Sequence, residues 1–132
     1  MAKACLQVRN FLAKKAFFLS SVGRVRERFK KEIDLAAVFA RIPQSSLLAL
    51  KIDIEGNEYA MSKVVLEEIT RRSDQIQLIV MEFHDTISLR QEFLEFTETI
   101  SKMVPIVHIH GNNFGSIGMD GFPEVVEITF AA

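Results

Sequence analysis

The sequence of 132 residues predicts one α/β domain built on a mostly parallel sheet. Short apolar runs, typical of parallel strands covered on both faces, alternate with segments whose apolar residues recur at helical spacing. The last two apolar runs are joined by a loop alone, which predicts that they pair as an antiparallel hairpin. The expected architecture is therefore a three-layer sandwich, or part of one, with parallel strands and a C-terminal antiparallel strand.

The predicted elements follow one another regularly after residue 32. The four strands cover residues 46–54, 76–84, 105–110 and 123–131. A helix over residues 33–42 precedes the first strand and stops at Pro43, because the residue before a proline avoids the helical conformation. The helix after the first strand has an apolar stripe formed by Met61, Val64, Val65 and Ile69. The helix after the second strand has a stripe formed by Leu89, Phe93, Phe96, Ile100 and Met103.

Charge separates the N-terminal segment from the rest of the chain. Residues 1–31 contain nine Lys or Arg and one Glu, whereas residues 32–132 contain seven basic and sixteen acidic side chains. We therefore predict a basic helical segment, residues 1–31, and a C-terminal half domain, residues 32–132. The basic helices are expected to pack on the acidic remainder, and contact with a membrane surface or nucleic acid is the alternative. No nucleic-acid motif is present, so no nucleic-acid partner is expected.

Composition excludes several classes of protein. A single cysteine, Cys5, cannot form an internal disulfide framework or a multi-cysteine metal site, and it favours a reducing cytoplasmic location. No apolar run reaches the length of a transmembrane helix.

Polar side chains collect where the predicted parallel strands end. Ligands of open α/β sheets bind beyond the carboxyl ends of such strands. The candidate residues are Asp53 and Glu55 at the end of the first strand, Glu82 and His84 at the end of the second, and His108, His110, Asn112 and Asn113 at and just beyond the end of the third. Histidine is suited to proton transfer at neutral pH, and carboxylates with histidine can hold a divalent metal.

Each candidate residue also has an ordinary structural explanation. Asp53 or Glu55 could cap the following helix, and His84 could orient a loop. His108 and His110 could be sheet residues bonded to neighbouring carbonyls, while Asn112 and Asn113 beside a glycine are common turn formers. The convergence of all of them on one edge of the sheet favours a functional site.

Three segments together resemble a known family. They are similar to the C-terminal half of the FkbM-type S-adenosylmethionine-dependent methyltransferases, and they read "LLALKIDIEGNEY", "LIVMEFH" and "VHIHGNNFG" with the closing "EITF". "KIDIEGNEY" stands where that family has its KIDxEGxE signature. The resemblance covers residues 33–130.

The resemblance implies a class I methyltransferase fold with strand order 3-2-1-4-5-7-6, of which the four predicted strands would be the last four. It also implies O-methylation of a hydroxyl on a sugar or secondary metabolite. On this basis His84, His108 and Glu82 are candidate catalytic residues. Asp53, Glu55, His110, Asn112 and Asn113 are candidate acceptor-binding residues, with Asp53 and Glu55 as possible ligands of a divalent metal.

The family's cofactor-binding half has no counterpart in the sequence. Residues 1–46 contain one glycine, Gly23, and no Gly-rich turn after a strand, so no cofactor-binding residue can be named. The first strand of the half sheet would be an exposed edge. We consider three explanations: a truncated methyltransferase domain, a short protein completed by a homodimer or partner chain across that edge, or a degenerate member whose N-terminal helix covers it. A non-catalytic binding module is the alternative function, and a metal-dependent hydrolase is a third.

Overall fold

The computed structural model describes the backbone of residues 3–10, 14–20 and 23–27, together with residues 37, 39–42 and 47–132. The strands are β1 (Lys3–Asn10), β2 (Lys14–Ser20), β3 (Gly23–Glu27), β4 (Leu47–Asp53), β5 (Ile76–Phe83), β6 (Ile106–Gly111) and β7 (Val126–Ala131). The helices are α1 (Ser62–Arg71) and α2 (Arg90–Ser101). The fold is α/β, and no helix in the described part of the chain is long and apolar enough to span a membrane.

All seven strands join one mixed sheet in the order β3-β2-β1-β4-β5-β7-β6. β4 is parallel to both β1 and β5. β7 lies between β5 and β6 and is antiparallel to each, which confirms the predicted C-terminal hairpin. The carboxyl ends of β4 and β5 therefore lie side by side at one edge of the sheet, whereas β6 is separated from β5 by a whole strand.

The prediction of helices in the N-terminal segment is wrong for its described residues, which form β1, β2 and β3. The sequence of β1, "KACLQVRN", places Ala4, Leu6 and Val8 at every second position, the period of a strand. β1 and β2 form one antiparallel pair, and β2 and β3 form another. The segment thus belongs to the same sheet as the rest of the chain. The predicted boundary at residue 31 and most of the helix predicted over residues 33–42 lie outside the described residues.

The expectation of an exposed edge at the first strand of the half sheet is also wrong. That strand is β4, and β1 pairs with it from Lys3 opposite Leu47 to Arg9 opposite Asp53. Parallel pairing satisfies the backbone groups that an edge strand would present to another chain. The structure therefore removes the reason for expecting a homodimer or partner chain at this position.

The core lies on one face of the sheet, where both predicted apolar stripes are confirmed. The strand residues buried on this face are Leu48, Leu50, Ile52, Ile79, Met81, Phe83, Val126, Ile128 and Phe130. The helices bury Val65 and Ile69 of α1 and Phe93, Phe96 and Ile100 of α2 in the same cluster. Phe83 makes edge-to-face contacts with Phe93 and Phe96, with ring centroids 5.2 and 5.7 Å apart. This packing fixes the carboxyl end of β5, where His84 follows.

Candidate functional site

Three of the predicted site residues come together where β4 and β5 end. Asp53 is the last residue of β4, Glu55 follows two residues later, and His84 is the first residue after β5. One ligand atom from each of these side chains lies within 4.8 Å of the others. Asp53 is buried, His84 is partly buried and Glu55 is exposed, so the cluster opens to solvent on the Glu55 side.

Unusual backbone conformations surround this cluster. Glu55 and Asp85 are the two non-glycine residues with positive φ in the described part of the chain, at 52° and 53°. Gly56, with φ of 88°, approaches the side chain of Asp85 closely: a Cβ at this position would lie 3.3 Å from Oδ2. Residues held in this region carry strain that the surrounding structure must offset, and such positions cluster at functional sites.

A buried carboxylate, Glu58, organises the turn after β4. Its side chain is fully buried, and its Oε1 accepts hydrogen bonds from the backbone N–H groups of Ile54 and Gly56 at 3.2 and 3.3 Å. The same oxygen lies 3.1 Å from His84 Nδ1. One carboxylate therefore joins the two strand ends that supply the cluster.

His84 is held from both ring nitrogens. Nδ1 bonds Glu58, while Nε2 lies 3.5 Å from Glu55 Oε2. The hydrogen bond to Glu58 is the largest cause that raises the pKa of His84 to about 9, against the opposing effect of burial. The imidazole therefore holds its proton at neutral pH. It can accept a proton, or bind a cation through Nε2, only after it has lost that proton.

Asp53 is also shifted towards its protonated form. Burial is the largest cause that raises its pKa from 3.8 to about 6, followed by repulsion from Glu82 and Glu55. The carboxylate is therefore ionised at neutral pH and binds a proton more strongly than an ordinary aspartate. Asp53 and His84 are two groups with complementary acid–base properties within one cluster.

Glu82 lies beside this cluster and links it to the loop after β6. Its Oε1 accepts a hydrogen bond of 3.1 Å from Asn112 Nδ2, and Asn112 Oδ1 in turn accepts the N–H of Phe114 at 2.9 Å. The turn-forming alternative for Asn112 is thus observed, together with its contact to a site residue. Asn113 is exposed.

The structure does not bring His108 and His110 into the cluster. Both are exposed on β6, the outer strand, and their rings stack on each other with centroids 6.4 Å apart. β7 lies between β6 and β5, and two strand spacings correspond to roughly 10 Å. Among the candidates on and after the third predicted strand, Asn112 alone is seen to contact a residue beside the cluster, while the cluster itself is formed by the ends of β4 and β5.

Glu58 is the site residue that the sequence reasoning missed. It is the last acidic residue of "KIDIEGNEY", so a signal for it was present. The first strand was predicted to continue to residue 54, but β4 ends at Asp53 and the chain turns at residues 55–56. The turn brings Glu58 back onto the N–H of Ile54, four residues earlier.

The cluster has the ligand types for a divalent cation. Asp53 and Glu55 offer carboxylate oxygens, and His84 offers Nε2 when its proton is on Nδ1. Carboxylate oxygens suit Mg²⁺ and Mn²⁺, whereas imidazole suits Zn²⁺ and Fe²⁺.

No protein-family model matches this chain, and neither a curated protein nor a solved structure matches it.

Proposed function

We propose that this chain carries the acceptor-binding side of an FkbM-type S-adenosylmethionine-dependent O-methyltransferase, acting on a hydroxylated small molecule in the cytoplasm. The supporting observation is the cluster of Asp53, Glu55 and His84 at the carboxyl ends of two adjacent parallel strands. That edge is where ligands of open α/β sheets bind.

Strand order also supports a class I methyltransferase ancestry. The order β4-β5-β7-β6 of the last four strands is the one that the resemblance implies, including the antiparallel seventh strand between the fifth and sixth. The quoted sequence motifs fall on the cluster itself, since "KIDIEGNEY" supplies Asp53, Glu55 and Glu58.

The proposed chemistry requires the acceptor hydroxyl to lose its proton as its oxygen attacks the methyl group of S-adenosylmethionine, whose sulfur–methyl bond breaks and releases S-adenosylhomocysteine. The carboxylates of Asp53 and Glu55 are placed to accept hydrogen bonds from such a hydroxyl, and one of them takes the proton. Glu58 keeps the His84 ring in place behind them. Holding the oxygen in line with the methyl carbon is the larger part of the task.

The N-terminal strands favour a second candidate function, a non-catalytic binding module derived from a methyltransferase. β1 and β2 are antiparallel, and only residues 11–13 separate them. A parallel crossover that carries a cofactor loop and a helix needs a dozen or more residues. Residues 3–27 therefore cannot hold S-adenosylmethionine in the manner of the family.

Calorimetric titration of the chain with S-adenosylmethionine, and separately with its demethylated product, tests these two functions. Saturable binding that supports methyl transfer to a hydroxylated acceptor would favour catalysis by the chain. Absence of binding at millimolar cofactor would rule out independent methyl transfer and leave the binding module.

Acceptor binding is tested by the same chain labelled with ¹⁵N. We expect hydroxylated ligands such as monosaccharides to shift the amide signals of residues 53–58 and 82–86. Asp53→Asn should abolish those shifts, while Glu67→Gln on the exposed side of α1 should preserve them. Shifts confined to other parts of the sheet would contradict an acceptor site at these strand ends.

A further inference from the structure

We propose that Asp53, Glu55 and His84 form a mononuclear site for a divalent transition metal, with Glu58 as the residue that orients the histidine. The inference does not depend on methyl transfer, because it concerns the binding of a cation by these side chains alone.

The first observation is the placement of three ligand atoms. Two carboxylate oxygens and one imidazole nitrogen lie within 4.8 Å of one another, although they come from β4, from the turn that follows it and from the end of β5. Ligands bound to one cation lie about 3 Å apart, given metal–ligand distances of about 2.1 Å, so modest side-chain movements close the site. Glu55 is exposed and able to make such a movement.

The second observation is the hydrogen bond on the other side of the imidazole. Glu58 is fully buried, and its Oε1 lies 3.1 Å from Nδ1 of His84. This bond directs Nε2 towards the cluster, where the nearest carboxylate oxygen of Glu55 is 3.5 Å away. Metal-bound histidines commonly donate their second N–H to a carboxylate, which fixes both the tautomer and the ring orientation.

Glu58 is itself held in a way that fits this orienting role. Two backbone N–H groups bind the same oxygen that faces His84. Its other oxygen, Oε2, is buried and has no hydrogen-bond partner among the described residues. Burial of a carboxylate costs free energy, and the hydrogen bonds that Glu58 accepts offset part of this cost. One of its contacts is with the imidazole of His84, which is the contact expected of a residue that orients a metal ligand.

Charge around the site also favours a cation. Asp53 experiences repulsion from both Glu82 and Glu55 and attraction from His84 and Lys51, and Lys51 also binds Glu127 at 2.7 Å. The β1–β4 register places the backbone of Arg9 opposite Asp53. Four carboxylates, those of Asp53, Glu55, Glu58 and Glu82, therefore lie near one imidazole, and a divalent ion bound by Asp53 and Glu55 reduces their mutual repulsion.

The ligand set indicates the class of metal. A nitrogen ligand disfavours Ca²⁺ and Mg²⁺ relative to transition metals, and the two carboxylates are ligands that suit Mn²⁺ among these metals. Mn²⁺ is the better probe, because the thiol of Cys5 would compete with the proposed site for Zn²⁺ but binds Mn²⁺ poorly.

The test is calorimetric titration of the full-length, chelator-treated chain with Mn²⁺, without any cofactor. We expect the unmodified chain to bind one Mn²⁺. The affinity for Mn²⁺ should fall at least 10-fold in Asp53→Asn and in His84→Gln, and by a smaller factor in Glu58→Gln. Glu67→Gln, which removes an exposed carboxylate elsewhere, is the matched control and should bind as the unmodified chain does. Circular dichroism establishes that each variant is folded.

A second measurement guards against variants that fail to fold. Mn²⁺ should raise the melting temperature of the unmodified chain, whereas equal Mg²⁺ should raise it less. Failure of Mn²⁺ to bind at millimolar concentration, or equal binding by Asp53→Asn and His84→Gln, would overturn the metal site. Neither result bears on S-adenosylmethionine binding, which is measured separately.

Discussion

Replacement of Glu58 by Gln should lower the pKa of His84 and destabilise the fold in a pH-dependent manner. The amide oxygen of Gln can still accept the N–H groups of Ile54 and Gly56, so the turn keeps its hydrogen bonds. The negative charge next to Nδ1 is lost. Because that hydrogen bond is the largest cause of the raised pKa, we expect most of the shift to disappear.

The magnitude follows from the shift itself. The pKa of His84 rises from 6.5 to about 9, and a difference of about 2.5 pKa units corresponds to roughly 3 kcal/mol. A raised pKa in the folded state stabilises the protein fully below pH 6.5, and the contribution is lost as the pH rises through 9. The destabilisation by Glu58→Gln should therefore be largest near pH 6 and smallest above pH 9.

The assay combines two measurements on metal-free protein in the presence of chelator. Titration of the His84 ring signals by NMR gives its pKa, with the signals assigned through His84→Gln. Urea denaturation at pH 6, 7.5 and 9.5 gives the free energy of unfolding. An unchanged His84 pKa in Glu58→Gln, or a destabilisation independent of pH, would refute the claim that this carboxylate controls the imidazole.

Three further predictions concern the same region. Asp53→Asn should stabilise the metal-free chain above pH 6 by up to about 3 kcal/mol, because the pKa of Asp53 is raised from 3.8 to about 6 in the folded state. Below pH 3.8 the substitution should leave the stability unchanged. Equal free energies of unfolding in urea at pH 7.5 would contradict this. Gly56→Ala should lower the free energy of unfolding by roughly 1–2 kcal/mol, because φ is 88° at this position and a Cβ would lie close to Asp85. A melting temperature within error of that of the unmodified chain would be inconsistent with this backbone conformation. Amide hydrogen exchange should be slow at consecutive residues of β4, Leu47–Asp53, because β1 pairs with this strand on one side and β5 on the other. Rapid exchange at every second amide would instead indicate that β4 is an exposed edge strand.

The C-terminal elements could be predicted because their periodicity is local. The apolar stripe of α2 and the continuous apolar run of β5 are properties of neighbouring residues, and the packing of Phe83 on Phe93 and Phe96 follows from them. The N-terminal strands could not be predicted in the same way. Their basic residues and closely spaced apolar residues fit a helix as well as a strand, and pairing with β4 is a long-range contact that local pattern does not report.

The site was predicted in part for a similar reason. Asp53, Glu55 and His84 were identified because they follow strands whose carboxyl ends are adjacent. His108 and His110 were included on the same argument, but the insertion of β7 between β5 and β6 separates them from the cluster. The position of Glu58 depends on a turn with positive φ at Glu55 and Gly56, which the apolar pattern of the predicted strand does not report.

The most direct test of a binding site at the ends of β4 and β5 is paramagnetic broadening of ¹⁵N-labelled chain by substoichiometric Mn²⁺. We expect the amide signals of Asp53, Glu55, Gly56 and His84 to broaden first. The signal of Ile76, at the other end of β5 and roughly 25 Å from His84 at about 3.3 Å per residue, should remain sharp. Broadening centred on any other part of the sheet, or uniform broadening of all signals, would contradict a site at these strand ends.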